Sequence, residues 1–504
     1  MPKAGRHREL SPKAVLMGML TAIDEDRVAH LSAGHEALCD LEMSSQLRMG
    51  VTNAGGRSAT YRQFTNTHQV MIRAIDPSPC PSFKGVEEKD RLSHLESRRT
   101  DVDQVATVLR LETVIDALID ASVPEMYRNA SSSLAVDWTD HETWSRPRNR
   151  DDPQPANDPD ASWGHAKRNA PGAVDHLFFG YYAQVATMVK DDRGPEVPEL
   201  VRAVAFAAPQ KDPAAMMAKT LLRRSVNGLV FKDVLADCGY SNRNPDNFAR
   251  PIRRAGGDLT IDLHPDDRGP KGTYKGAVVA NGNLFCPCTP PPLLQLGPLK
   301  RGSDASETAL HDARSAELAR YKLGRVSRDS EDGSHRVMCP ALLGKVRCPL
   351  REKSMTLDFS RPEVLEPPSY PPTCCVQQTI TVAEEVTAKT AQRHDYPSRA
   401  HRLSYMRRTA SERTFAWFQD PATVGMRRGW SRLMGVAKNH LMYVLAVVVR
   451  NVRIVESFER KKAKEARQQA TGLRTRLRGR RRRRREQERR VDEPPPEEPR
   501  GKPG

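Results

Sequence analysis

The sequence predicts an α/β fold, with a mixed sheet at its core, a long insertion interrupting that core and a mainly helical domain ahead of it. Three observations predict it. Two short apolar runs, 133–136 and 228–236, each lead into an aspartate and read as buried strands. Ahead of them, apolar residues recur at helical spacing from about residue 10 to 125. Beyond them, residues 265–400 are rich in Pro, Gly, Cys and charge and show no clear period, a length that a compact domain rarely leaves without a small fold of its own.

Taken in order, Val15, Leu16, Met19, Leu20 and Ile23 mark a first helix. Val105, Val108, Leu109, Leu111, Ile115, Leu118 and Ile119 mark a later one, and 60–75 reads as another between them. Gly55-Gly56 and the prolines of 77–81 punctuate this region as loops. Residues 133–136 then form a strand ending at Asp137, and three prolines make 151–160 a loop. The aromatic and β-branched residues of 176–188 suggest a hairpin or two paired strands. A helix over 213–225 buries Met216, Met217, Leu221 and Leu222; a strand over 228–236 ends at Asp237; 245–255 reads as helix and 259–263 as strand. Helix returns over 403–418 and 429–464. The domain boundaries that follow are 1–128, 129–264, 265–400 for the insertion, 401–464, and a low-complexity tail at 465–504 holding six consecutive arginines, 480–485. Like-charge blocks of that kind are usually solvated and disordered.

Composition narrows the class of partner. The chain has 504 residues and a formal charge of +17, with 38% apolar and only 6% aromatic residues. A surplus of +9 lies in 456–504 alone, and the remaining +8 is spread thinly. Such a balance suits a polyanion, because Lys and Arg that neutralise phosphates release condensed counterions. No secretory signal is visible, and the longest apolar run, 441–449, is too short to span a bilayer. A soluble intracellular protein is expected, without a membrane partner. Of nine cysteines, six fall between 286 and 375. In a reducing compartment that grouping points to a metal site, or to no site at all, more than to disulfides.

The acids carry the chemistry. Strand ends deliver side chains to one edge of a sheet, where ligands favour the crevice beyond. A third carboxylate from a helix beside that edge would complete a set of hard oxygen ligands suited to magnesium. Taken singly, an aspartate at a strand end is more often a cap or turn former. Its neighbours sharpen the reading: Ala-Val-Asp-Trp-Thr-Asp at 135–140, Ala-Asp-Cys-Gly-Tyr-Ser at 236–241, and Tyr405, Arg408 and Glu412 spaced as Tyr-x-x-Arg-x-x-x-Glu. On one continuous helix the last three would share a face.

These blocks resemble the three catalytic blocks of bacterial insertion-sequence DDE transposases, the group with the Tyr-x-x-Arg-x-x-x-Glu signature. The resemblance covers about residues 130–455. It implies a ribonuclease-H-like catalytic core in which Asp137, Asp237 and Glu412 hold Mg²⁺ or Mn²⁺ and catalyse DNA strand cleavage and transfer. It further implies that Arg408 and Tyr405 position phosphate, that DNA (terminal inverted repeats and target) is the partner, and that a dimer forms on DNA. The helical 1–128 becomes a candidate DNA-end-binding domain, although no short Gly-containing turn displays a helix-turn-helix. A cytoplasmic, nucleoid-associated bacterial protein is the corresponding location. His165 and Lys167, with Arg168, follow the first acid and are candidates to meet DNA. One departure stands out: the family signature continues with a lysine seven residues after the glutamate, where this chain has Gln419. That favours, as the alternative, a catalytically inactive DNA-binding relic. Asp140 is the first substitute for Asp137, and Asp233 shares a strand face with Asp237. Cys286, Cys288, Cys339, Cys348, Cys374 and Cys375 could supply a zinc site in the insertion, although no standard Cys-x-x-Cys pair is present.

Overall fold

The computed structural model describes residues 10–53, 55–78, 87, 89–90, 93, 102–147, 156–166, 176–241, 243–300 and 302–470. The chain divides into two compact units, Met1–Asn451 and Val452–Gly504. In the second unit the described part is helical; it carries an Arg460–Glu456 ion pair of 2.8 Å and Lys462 stands 5.4 Å from the Phe458 ring centre. The arginine run at 480–485 lies outside the described residues.

The first unit is mixed α/β. Helices open it, among them α1 (Pro12–Asp24), α2 (Leu31–Cys39), α3 (Tyr61–Ile75) and α4 (Val102–Ala121). The start of α3 is set by a capping box, in which Thr60 and Gln63 each bond the other's backbone N–H. The sheet follows, from β1 (Ser133–Glu142), β2 (Ser162–Ala166), β3 (His176–Val189) and β4 (Val201–Ala207), through α5 (Pro213–Val226), to β5 (Asp233–Ala236), α6 (Ala249–Arg254) and β6 (Asp258–Ile261). β1 and β4 flank β3 in antiparallel register, and β2 extends the β4 side toward the start of β3. On its other edge β1 pairs parallel with β5, and β5 pairs parallel with β6. The sheet is thus mixed, with β1 at the junction of its antiparallel and parallel halves.

One apolar cluster joins the opening helices to this sheet and to the last helices, α9 (Thr409–Gln419) and α10 (Val436–Ala470, in this unit as far as Asn451). Leu10, Phe64 and Ile115 belong to it with Tyr181, Phe206, Phe418 and Leu441 through Val447. The apolar run at 441–449 is therefore core, and among the described residues no helix is long and apolar enough to cross a membrane. The free edge of β4 is covered by Asn451, whose side chain accepts from Val201 N–H at 2.9 Å and donates to its carbonyl at 3.0 Å. Arg224, buried on α5, makes a bidentate pair with Asp120 of α4 at 2.9 and 2.6 Å.

Several sequence expectations need correction. β1 does not stop at Val136; it runs on to Glu142 because β3 pairs with it along its whole length. Residues 176–188 form no hairpin: they are one strand, paired with β1 on one side and with β2 and then β4 on the other. The strand expected over 228–236 begins only at Asp233, since Gly228 (φ +94°) ends α5 in the left-handed region. The helix expected from 429 starts at Val436, whose N–H is accepted by Asp160 at 2.9 Å. The stretch 403–418 is not one helix: α8 (Arg399–Tyr405) gives way to a 3₁₀ turn, Met406–Arg408, before α9.

The insertion is more regular than its composition implied. It holds a three-stranded meander, β7 (Pro270–Tyr274), β8 (Ala277–Ala280) and β9 (Asn283–Phe285), then α7 (Ala305–Tyr321). A second three-stranded sheet follows, from β10 (Gly324–Arg325), β11 (His335–Met338) and β12 (Thr379–Val382). Its buried apolar side chains gather in two clusters separate from the main one.

Candidate active site at the sheet edge

Strand register decides where the acids lie. β1 and β5 pair as Ser133↔Asp233, Leu134↔Val234 and Ala135↔Leu235, a constant offset that, carried forward, sets Asp137 level with Asp237. Both are an even number of residues past the ladder, so their side chains leave the same sheet face. Neighbouring strands lie about 4.8 Å apart, so this is a close approach of two carboxylates. β5 and β6 pair as Asp233↔Asp258 through Ala236↔Ile261, and the same extension sets Asp262 level with Asp237. Three aspartates thus stand in a row across three parallel strands, Asp137 within β1 and the other two just past the ends of β5 and β6. Sequence reasoning missed Asp262; its signal was an acid at the same place after a strand as Asp237.

Each aspartate is held differently. Asp137 accepts from Trp138 N–H at 2.9 Å, from Arg408 Nη1 at 3.0 Å and from Ser411 Oγ at 3.5 Å. Burial, and then the charge of Asp237, push its carboxyl up to about 7. Asp237 accepts from Gly239 N–H at 2.9 Å, and burial raises it too, against the pull of Arg408. Gly239 is needed for proximity: a Cβ there would lie 2.4 Å from the Trp138 ring, which packs on Tyr240 with centres 4.6 Å apart. Asp262 is already engaged by Arg268 and by the Tyr396 hydroxyl, each at 3.2 Å.

Glu412 reaches the edge on α9. That helix docks through Ala410, which packs with Ala135, Val189 and Leu235, and through Thr414, whose hydroxyl lies 3.2 Å from that of Thr187 on β3. Arg408 joins the two sides, bonding Asp137 with one nitrogen and Glu412 with another. Its guanidinium stands 5.5 Å from the Tyr405 ring centre, and its Nε is buried without a partner among the described residues. Burial opposes the guanidinium charge, yet Tyr405, Asp137, Glu412 and Asp237 together raise its pKa. The break in the helix matters here. Arg407 turns inward to Asp233 and to Asp192 (2.8 Å), while Arg408, one residue on, turns to Asp137 and Glu412. Tyr405, Arg408 and Glu412 therefore meet without lying on one continuous helix.

The remaining candidates fall elsewhere. Asp233 is fully buried, bound by Arg407 and by Thr260 at 2.9 Å, and is a structural acid. Asp140 is an odd number of residues from Asp137 on the same strand, so it leaves the opposite face and does not substitute for it. His165 is exposed on β2, and none of its described contacts reaches the acids. Lys167 and Arg168 lie outside the described residues.

The donor set suits a hard divalent cation. It consists of carboxylate oxygens at one sheet edge, where the charge of Asp237 raises the proton affinity of Asp137 and a cation would relieve the repulsion. Among the described residues, however, no three His, Cys, Asp or Glu side chains stand as a ready-made metal-holding group. At this edge Arg408 already serves as the counter-charge to Asp137 and Glu412. Comparison of the chain with protein-family models, curated proteins and solved structures finds no match.

Proposed function

We propose that this chain is a DDE-type insertion-sequence transposase, built on a ribonuclease-H-like core, that cuts and joins DNA phosphodiester bonds at the ends of its own element. The observation that carries this reading is the juxtaposition of Asp137 and Asp237 on neighbouring parallel strands, with Arg408 linking Asp137 to Glu412. The element order supports it as well: first acid on the central strand, second on the adjacent parallel strand, then an insertion, then the helix bearing Glu412.

Asp137, Asp237 and Glu412 would hold Mg²⁺ or Mn²⁺, which when bound activates the attacking oxygen and stabilises the leaving one. The chain's own groups do the rest. Arg408, half-buried between two acids, is placed to exchange a carboxylate for a phosphate and hold it by two parallel hydrogen bonds. Tyr405 walls one side of that guanidinium and is itself stacked on His401 with ring centres 5.9 Å apart. Tyr240, buried against the Trp138 ring, backs the aspartates with an apolar wall. No covalent protein nucleophile is required. Terminal inverted repeats and target DNA are the partners of this reading, on a dimer that brings two ends together, in the bacterial nucleoid.

One observation favours a second reading, a DNA-binding relic without catalysis: Gln419, exposed at the end of α9, stands where the family signature has lysine. Incubation with supercoiled plasmid and Mn²⁺ separates the two. The native chain is expected to nick the plasmid and Glu412→Gln to fail. Nicking by neither chain, with DNA still retained, would leave the relic.

A further inference from the structure

The insertion brings together six cysteines from four stretches of chain, at 286–288, 339, 348 and 374–375. All six are free thiols, and five are buried. Cys286, Cys339 and Cys348 share one apolar cluster, with Cys288 packed against it; Cys374 and Cys375 sit in the adjoining cluster, and Leu350 packs against both. Each of the six lies within electrostatic reach of at least three others.

Burial of free thiols is by itself unremarkable, since cysteine behaves as a small hydrophobe. The backbone around these sulfurs is what sets them apart. Three are followed by proline: Cys286-Pro287, Cys339-Pro340 and Cys348-Pro349. In each case the chain turns back tightly onto the cysteine: Thr289 N–H donates to the Cys286 carbonyl at 3.0 Å, Leu343 N–H to the Cys339 carbonyl at 3.3 Å and Arg351 N–H to the Cys348 carbonyl at 2.9 Å. A cation completes the picture. Arg351 faces Cys339, Cys348 and Cys375, and its Nε–H is buried with no acceptor among the described residues.

We propose that the insertion is a zinc-binding module in which the sulfurs of Cys286, Cys339, Cys348 and Cys375 hold one four-coordinate Zn²⁺. Four thiolates around one such ion are a common structural zinc site. Binding releases the four thiol protons and leaves a net charge of two minus, next to which Arg351 is the counter-charge. The sulfurs do not already stand as a closed group among the described residues. The two adjoining clusters bring the four stretches of chain together, and the ion would draw the sulfurs into one group. Cys288 is left out because its thiol is directed at the Glu366 carbonyl, 3.8 Å away. The ion would tie β9, the end of β11, the loop after it and the start of the 373–376 helix into one body, which elements of two to five residues cannot achieve through their own cores.

The test uses the full chain, reduced, supplied with Zn²⁺ and desalted. About one zinc per chain is expected by elemental analysis, released by about four equivalents of a mercurial reagent, with Co²⁺ giving the intense absorption of a tetrahedral thiolate site. Cys339→Ser and Cys348→Ser should each lower retained zinc at least about tenfold, while Cys39→Ser, outside the insertion, leaves it unchanged. Should a variant fail to fold, the stoichiometry and mercurial titration of the native chain decide alone. Native protein that keeps less than about a tenth of an equivalent of zinc, or folded Cys339→Ser that keeps the full amount, overturns the proposal.

Discussion

At the sheet edge Asp137 meets Arg408 across 271 residues of chain, whereas in the insertion each Cys-Pro turn closes on its own cysteine carbonyl within four residues. The first arrangement depends on long-range register: nothing near Asp137 dictates Arg408, and only the pairing of β1 with β3 and β5, plus the docking of α9, brings them together. The second depends on local turns, and what it lacks is a core large enough to hold those turns against one another. One region needs its sheet intact; the other needs a cross-link. Their charges differ in the same way, the edge keeping buried acids paired with buried arginines and the insertion keeping its ion pairs mostly at the surface.

The largest effect should come from the acids themselves. Asp137→Asn and Asp237→Asn are each expected to lower Mn²⁺-dependent plasmid cleavage by on the order of 1,000-fold, the several kcal/mol that metal-assisted charge stabilisation supplies. Asp262→Asn, already satisfied by Arg268 and Tyr396, should stay within about tenfold of the native rate. If Asp262→Asn instead fell as far as Asp237→Asn, with Glu412→Gln nearly active, the row of three strand-end aspartates would replace the assignment of Glu412.

How far the sequence leads differs between the two regions for a physical reason. Asp137 and Asp237 were legible because each follows a short apolar run and sits in a recognisable block. Arg408 and Glu412 were legible by spacing, even though the helix carrying them is broken at 406–408. Asp262 was overlooked because β6 is only four residues long, and one alternation in so short a strand carries little signal. The insertion was hardest. Its strands have two to five residues, below the length at which a period is visible. Helix α7 buries only His311, Ser315, Leu318 and Tyr321, so it has no apolar stripe to read; its one clear sign was the capping box of Asp304 and Glu307.

A second pair of substitutions tests the contrast in charges. Arg407→Ala removes the partner of Asp233, a fully buried carboxylate, and should destabilise the chain by about 3–5 kcal/mol. Arg325→Ala breaks the exposed pair with Asp329 in the insertion and should cost less than about 1 kcal/mol. Chemical denaturation of both variants checks this, and similar losses would erase the distinction between the two regions.

The pH response of the sheet edge follows from Asp137. Its carboxyl takes up a proton at about 7 in the folded chain, against 3.8 for the free group. Between those values the folded state binds the proton and the unfolded state does not. The stabilisation is therefore complete below about pH 4 and lost as pH rises through 7. The full amplitude is roughly 4 kcal/mol in metal-free protein. Buried His141 and His401, lowered to about 4 chiefly by burial, slope the other way: their contribution is present above pH 6.5 and lost as pH falls through 4. Unfolding measured in EDTA from pH 4 to 8 should thus give a steeper gain in stability with rising pH for Asp137→Asn than for the native chain. Parallel curves would mean that Asp137 titrates as an ordinary surface acid.

The smallest expected effect concerns Gln419. It is exposed at the last position of α9, seven residues beyond Glu412 and so on the same side of the helix. If DNA lies along this face, a lysine there adds one phosphate contact and leaves the acids untouched. Gln419→Lys should then tighten DNA binding by less than about tenfold and steepen the plot of log affinity against log salt by about 0.9. The salt slope is the decisive quantity, because a gain from general positive charge far from the bound strand would raise affinity at low salt without adding a whole released counterion. An unchanged slope would place the DNA on another surface and separate the acids from the path assumed for it, whereas a rise of about one would align the α9 face with that path.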